Sequence, residues 1–208
     1  MHQANPALDA AMVSGRVVHG AAHLPHGYRI VWRLNGWRSL LALSPTFDVT
    51  GTGAGVDLSG RVSILPGRYA LRDARGTLSW AVVPLLVRDP GMTCDLTASV
   101  DELSLSQNGR TRRAWGAVRS SPGTCARAGD MVAGIPMPAL VAQLTTTEDG
   151  IKAALAAQDA PDTALATATL TDQDRLILQL HAAGARLVPG VSASSEHEIE
   201  LPLSALMR

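Results

Sequence analysis

Side chains that alternate with a period of two, turn residues at short and regular intervals, and the lack of long helical stretches predict a mainly β fold. The expected architecture is a set of antiparallel hairpins forming an open, curled sheet or a sandwich or half-barrel, with little helix. Val13 to Leu24 and Tyr28 to Leu34 flank Pro25-His26-Gly27, whose Pro-then-Gly order suits a tight reversal, and they read as a hairpin. Val56, Leu58, Val62 and Ile64 fall on one face of the next extended segment, with Asp57 and Ser59 on the other. Leu71 to Val83 reads as a strand pair broken near Asp73 to Gly76. Cys94, Leu96, Ala98 and Val100 alternate with polar neighbours, Asn108-Gly109 marks a turn, and Thr111 to Arg119 is the returning strand.

In the second half, Leu140 to Leu144 and Ile151 to Leu155 flank an Asp149-Gly150 turn, and Ala166 to Leu170 and Leu176 to Leu180 flank Asp172 to Asp174. Both pairs read as hairpins. Helix competes for the alanine-rich piece Ile151 to Gln158, because alanine has the highest helix propensity; strand is preferred there. Ser121 to Pro138, rich in Gly and Pro, reads as a connection. The organisation expected is one β-rich domain over 1–208, with sub-halves 10–125 and 135–208 on either side of that connection.

Of the 208 residues 46% are hydrophobic but only 3% aromatic, so any core is built from Leu, Val, Ala and Ile. Eighteen basic residues balance eighteen acidic ones, which removes the electrostatic argument for nucleic acid or anionic headgroups as partners. Lys152 is the only lysine. No run approaches the roughly 20 apolar residues that cross a bilayer, and Met1 to Asp9 lack the basic and apolar regions of a signal peptide, so the expectation is a soluble body.

Cys94 and Cys125 are too far apart for a CxxC redox pair and too few for a zinc site. If Thr111 to Arg119 returns along the strand that follows Cys94, Cys125 comes back towards Cys94, and a disulfide staples the open end of that hairpin. Two buried free thiols in a reducing compartment are the alternative.

The remaining motifs favour plain readings. Gly51, Gly53 and Gly55 precede a strand and not a helix, so they mark a turn or bulge instead of a phosphate loop. His19 and His23 share a strand face but sit about 13 Å apart at roughly 3.3 Å per residue, and His26 lies in the turn, a poor metal set. Asp172 to Asp174 is turn chemistry, while Glu196, Glu198 and Glu200 line one strand face without the converging oxygens of a calcium site. No serine lies in an activating context, so no catalytic residue and no cofactor is expected. Trp32, Trp37, Trp80 and Trp115 fall on separate strands, where packing is preferred to a sugar-binding face.

The run Ser14-Gly15-Arg16-Val17-Val18-His19-Gly20-Ala21, then Val31-Trp32-Arg33-Leu34, Leu58-Ser59-Gly60-Arg61-Val62 and Gly76-Thr77-Leu78-Ser79-Trp80, follow one another in an order that resembles protein N of the type II (general) secretion pathway. More distantly the chain resembles AsmA-type envelope proteins. Cys94 and Cys125 fall where some members carry a pair. The resemblance covers about the first 125 residues. It implies a periplasmic domain of an inner-membrane accessory subunit, acting by contact with inner-membrane platform proteins and not by catalysis. Members begin with a membrane-spanning helix that this chain lacks, so a trimmed anchor and a body starting near Asn5 are expected. The AsmA likeness, with the aliphatic strand faces, implies as an alternative a lipid-handling module whose curled sheet holds acyl chains. A carbohydrate-binding module is a third reading.

Overall fold

A computed structural model describes residues 12–83, 92–127, 134–187 and 197–202. Successive strands run β1 (Met12–Arg16), β2 (His19–His23), β3 (Arg29–Leu34), β4 (Thr46–Gly53), β5 (Val56–Leu65), β6 (Arg68–Ser79), β7 (Met92–Cys94), β8 (Thr97–Asn108), β9 (Thr111–Ser120), β10 (Gly123–Arg127) and β11 (Ile135–Met137). They continue as β12 (Leu140–Thr147), β13 (Gly150–Ala157), β14 (Ala160–Thr171), β15 (Arg175–Leu180) and β16 (His197–Pro202). Two short helices interrupt them, α1 (Gly36–Ala42) and α2 (Ala182–Ala185). Thirteen strands form one antiparallel sheet in the order β1-β2-β3-β4-β5-β6-β8-β9-β12-β13-β14-β15-β16, and β11-β10-β7 form a second, small one. The large sheet is a meander whose first and last strands do not meet, so it is open, and β9 pairs with β12 to carry it across both halves of the chain.

The register sorts the side chains into two faces. Trp32 lies opposite Gly20 and Val49, Leu58 opposite Gly51 and Gly76, and Val62 opposite Phe47 and Leu71. The same side continues through Val100 and Val118 to Ala142 and Leu155, then through Ala166 and Leu180. One face is thus apolar from end to end, while Arg33, Asp48, Arg61 and Arg72 line the other. Two aromatic rings close gaps left by glycines on the apolar side. A Cβ on Gly20 would lie 2.4 Å from the Trp32 ring, and one on Gly53 would lie 2.2 Å from the Tyr28 ring, so each ring lies flat on bare backbone.

The sheet curls towards its apolar face, and bulges supply the bend. The β6 pairing slips near Asp73 and the β8 pairing near Glu102, and both residues take a left-handed backbone. The Asp73 amide donates to the buried Ser104 hydroxyl at 3.2 Å and its carboxylate pairs with Arg61, which pins the first bulge. Arg112 of β9 shows the result. Its guanidinium donates to the Thr171 carbonyl at 2.9 Å and pairs with Asp174, in the turn after β14. In a flat sheet three strand spacings, about 14 Å, would separate them.

Several expectations are met and others are corrected. The hairpins across Pro25–Gly27, Asn108-Gly109, Asp149-Gly150 and Asp172–Asp174 form, and Ile151–Ala157 is strand despite its alanines because it is paired on both edges. Val13 to Leu24 is not one strand but the β1–β2 hairpin, reversing at Val17-Val18. The Trp32 indole donates to the Arg16 and Val17 carbonyls there, a long-range contact that substitutes for turn residues. Asp73 to Gly76 does not break a strand pair; β6 runs through it as a bulge. Cys94 to Val100 is split between two sheets. Ser121–Pro138 is more than a connection, since it supplies β10 and β11; residues 128–133 within it, and Glu196, lie outside the described residues.

Cys94 and Cys125 are cross-strand partners in the small sheet and form a disulfide across 31 residues. Because β7 leads into β8 and β10 leaves β9, the bridge closes the open end of the β8–β9 hairpin. Replacing both cysteines with alanine should lower the unfolding free energy by about 3–4 kcal/mol in urea titrations, the loop-closure value for that separation. Replacing Arg112 with alanine should cost about 1–3 kcal/mol in the same assay, because two carbonyl and carboxylate acceptors lose a charged donor.

Candidate functional site

No large side chain is completely buried among the described residues. The core is thin and divided between the faces: Val100 and Ala114 are buried on the apolar side, while Val141, Ala156 and Leu165 are buried on the other, where α2 packs against β14. A single sheet can bury its apolar face only against a second layer or by closing on itself; among the described residues no second layer lies against it and its end strands do not pair. Its side chains shelter one another by curling, and they remain half-covered.

Over β12 to β16 the apolar face forms an open groove of about 730 Å³. Two rows of the register explain the shape. Ala142, Leu155, Ala166 and Leu180 stand side by side in one row, and Ala153, Ala168, Leu178 and Ile199 in the next. The alanines form a low floor between leucine and isoleucine walls, and His197 extends the first row beside Leu180, so the lining is mostly carbon. Its size falls in the range of roughly 300–1,000 Å³ typical of small-molecule sites. Behind it, on the opposite face, the Thr167 hydroxyl donates to Gln179 at 3.1 Å and Gln179 donates to Glu198 at 2.6 Å, tying β14, β15 and β16 together. Glu200 pairs with Arg175 on the same side.

Its carbon lining can cover apolar chains by burial, and His197, opposite Leu180 in the first row, is the ionisable side chain that the register places on the groove face. Among the described residues no three His, Cys, Asp or Glu side chains are grouped to hold a metal. His19 and His23 are exposed at opposite ends of β2, with His19 opposite Arg16 and Arg33. His26 sits in the following turn with a φ of 63°. Gly51 and Gly53 lie within β4 and Gly55 in the turn to β5, as a strand-turn reading requires.

The tryptophans divide. Trp32 packs as expected, and Trp80 is largely covered, its indole N–H buried with no acceptor among the described residues. Trp37 and Trp115 do not pack; they are 69% and 53% exposed. The even charge of the whole chain also conceals a separation. Residues 12–83 carry eight arginines against three aspartates, whereas residues 134–187 and 197–202 carry eight acidic residues against three basic ones. The N-terminal strands are therefore a basic surface and the strands of the groove an acidic one.

Filling the groove should abolish its capacity without disturbing the ladder. Ala166→Trp is expected to weaken binding of a fluorescent fatty acid at least tenfold while the urea midpoint stays within error, and equal binding by the variant would place the apolar site elsewhere. No helix among the described residues is long and apolar enough to cross a membrane. Comparison of the chain with protein-family models, with curated proteins and with solved structures found no match.

Proposed function

We propose that this chain is a non-catalytic envelope module of the type II secretion kind, the periplasmic body of an inner-membrane accessory subunit resembling protein N. It acts by contact with inner-membrane platform proteins. The observation that carries this reading is the apolar face that runs across thirteen strands with no second layer over it among the described residues. A surface of that extent is stable in water only with an apolar occupant close at hand. The residues that resemble protein N lie in consecutive order on β1 to β3, β5 and β6, and Trp32, Leu58 and Val62 among them lie on this face. The open edges serve the same role. β1 is exposed along its whole length and carries one charge, Arg16, so a partner strand can add to it, whereas Glu198 and Glu200 guard β16.

The groove over β12 to β16 favours a second reading, an AsmA-like module that holds lipid acyl chains against the same face. The two readings differ in what covers the surface. Deleting the gene in its host should leave folded exoproteins stranded in the periplasm if the chain serves secretion; unimpaired secretion removes the first reading. Native mass spectrometry of protein extracted from the envelope should then show bound lipid if the second holds, and a clean apo mass removes it.

A further inference from the structure

We propose that α1 is a membrane-surface anchor. Trp37, Leu40, Leu41 and Leu43 enter the apolar boundary of an anionic bilayer, while Arg38 and Arg72 at their base take lipid phosphates. This goes beyond the contact reading above and does not rest on it, since it concerns a different surface and a different face of the sheet.

The geometry of α1 is inverted. Trp37, Leu40 and Leu41 follow the i, i+3, i+4 spacing of a stripe that an ordinary surface helix turns inward. Here they are 69%, 65% and 68% exposed, and Leu43 just beyond them is 85% exposed. The side chain facing the sheet is instead polar. Ser39 donates to the Asn35 carbonyl at 2.7 Å and accepts from the Thr46 amide at 3.0 Å. Asn35 caps the helix by accepting from the Arg38 amide at 3.2 Å, and its own side-chain amide holds Asp48 at 2.9 Å. Leu43 reverses the chain in a left-handed conformation with φ 50°, its amide donating to Leu40 at 3.3 Å. Polar bonds therefore mount four apolar side chains pointing outward.

Charge names the occupant. Directly beneath Leu41 lies a cleft of about 300 Å³ lined by Arg38, Arg61 and Arg72 with the Thr46 and Ser63 hydroxyls. Arg61 pairs with Asp73; Arg38 and Arg72 enter no ion pair among the described residues. The two hydroxyls bond each other at 3.0 Å and Thr46 donates to the Ser44 carbonyl at 3.2 Å, so phosphate contacts fall to the two unpaired guanidiniums, whose charge and geometry suit them. Apolar side chains that protrude beyond them suit the layer just below the phosphates, where tryptophan is favoured. The excess of five positive charges on residues 12–83 draws this end of the sheet towards an anionic leaflet. A protein partner would need a pocket for each protruding side chain; a bilayer needs none.

The test is co-sedimentation of the full chain with vesicles of phosphatidylcholine containing phosphatidylglycerol, set against phosphatidylcholine alone. Binding is expected only to the anionic vesicles, falling about fivefold for each of Arg38→Gln and Arg72→Gln and more than tenfold for Leu40→Ser with Leu41→Ser. Each variant must keep the disulfide and the parental urea midpoint. Trp37→Phe should still bind but lose most of the fluorescence quenching by brominated lipid, a readout that misfolding would not mimic. Equal binding to neutral vesicles, no binding at all, or binding that survives the leucine replacements would overturn the proposal. So would displacement by inorganic phosphate at constant ionic strength, which would make the arginine cleft a site for the free anion.

Discussion

A β-sheet with one apolar face poses a problem that thirteen strands make larger. Each added strand contributes ladder hydrogen bonds, and it also adds apolar area that the sheet alone cannot hide. Sandwiches solve this with a second sheet and barrels by closure. Here bulges at Asp73 and Glu102 bend the sheet, and Arg112 ties β9 to the turn after β14, yet β1 and β16 stay apart. The fold stops short of closure, and every other property of the molecule follows from that. Stability rests on paired backbone, on small buried side chains and on the Cys94–Cys125 bridge, because no large residue is completely buried among the described residues.

The same constraint defines the working surface. Apolar area left open by the fold returns about 25 cal/mol for each Å² that an occupant covers, so the face is a reservoir of binding free energy. Alanine matters more here than leucine. Ala153, Ala166 and Ala168 lower the floor of the groove, and leucines in their place would fill it. The low aromatic content keeps the groove open, since bulky rings on the apolar face would fill it. Where rings do occur, as with Trp32 on Gly20 and Tyr28 on Gly53, they lie flat on glycine and keep the surface low.

Shape and charge are thus divided along the length of the sheet. The C-terminal strands carry the groove and an excess of acid, while the N-terminal strands carry the arginines and the outward-turned helix. Total charge hides this division, because opposite signs cancel in a sum but not in space. Counting charge by segment would have revealed it from the sequence. The mounting of α1 would not have been found that way, since its apolar spacing is the usual mark of a helix that packs inward.

Alternation settled much of the architecture: strands and antiparallel hairpins follow from side chains that change sides at each residue, and the hairpin read between Cys94 and Arg119 favoured the Cys94–Cys125 disulfide over free thiols. Turn residues such as Asn108-Gly109 and Asp172–Asp174 then placed the reversals, because their backbone preferences act locally. Tertiary contacts decided what local preference could not. The Val17-Val18 reversal depends on the Trp32 indole, the continuity of β6 through Asp73 depends on Arg61 and Ser104, and β10 emerges from a Gly- and Pro-rich stretch because Cys125 has Cys94 beside it. In each case the deciding partner is distant in sequence, and its free energy exists only once the sheet has brought the two together.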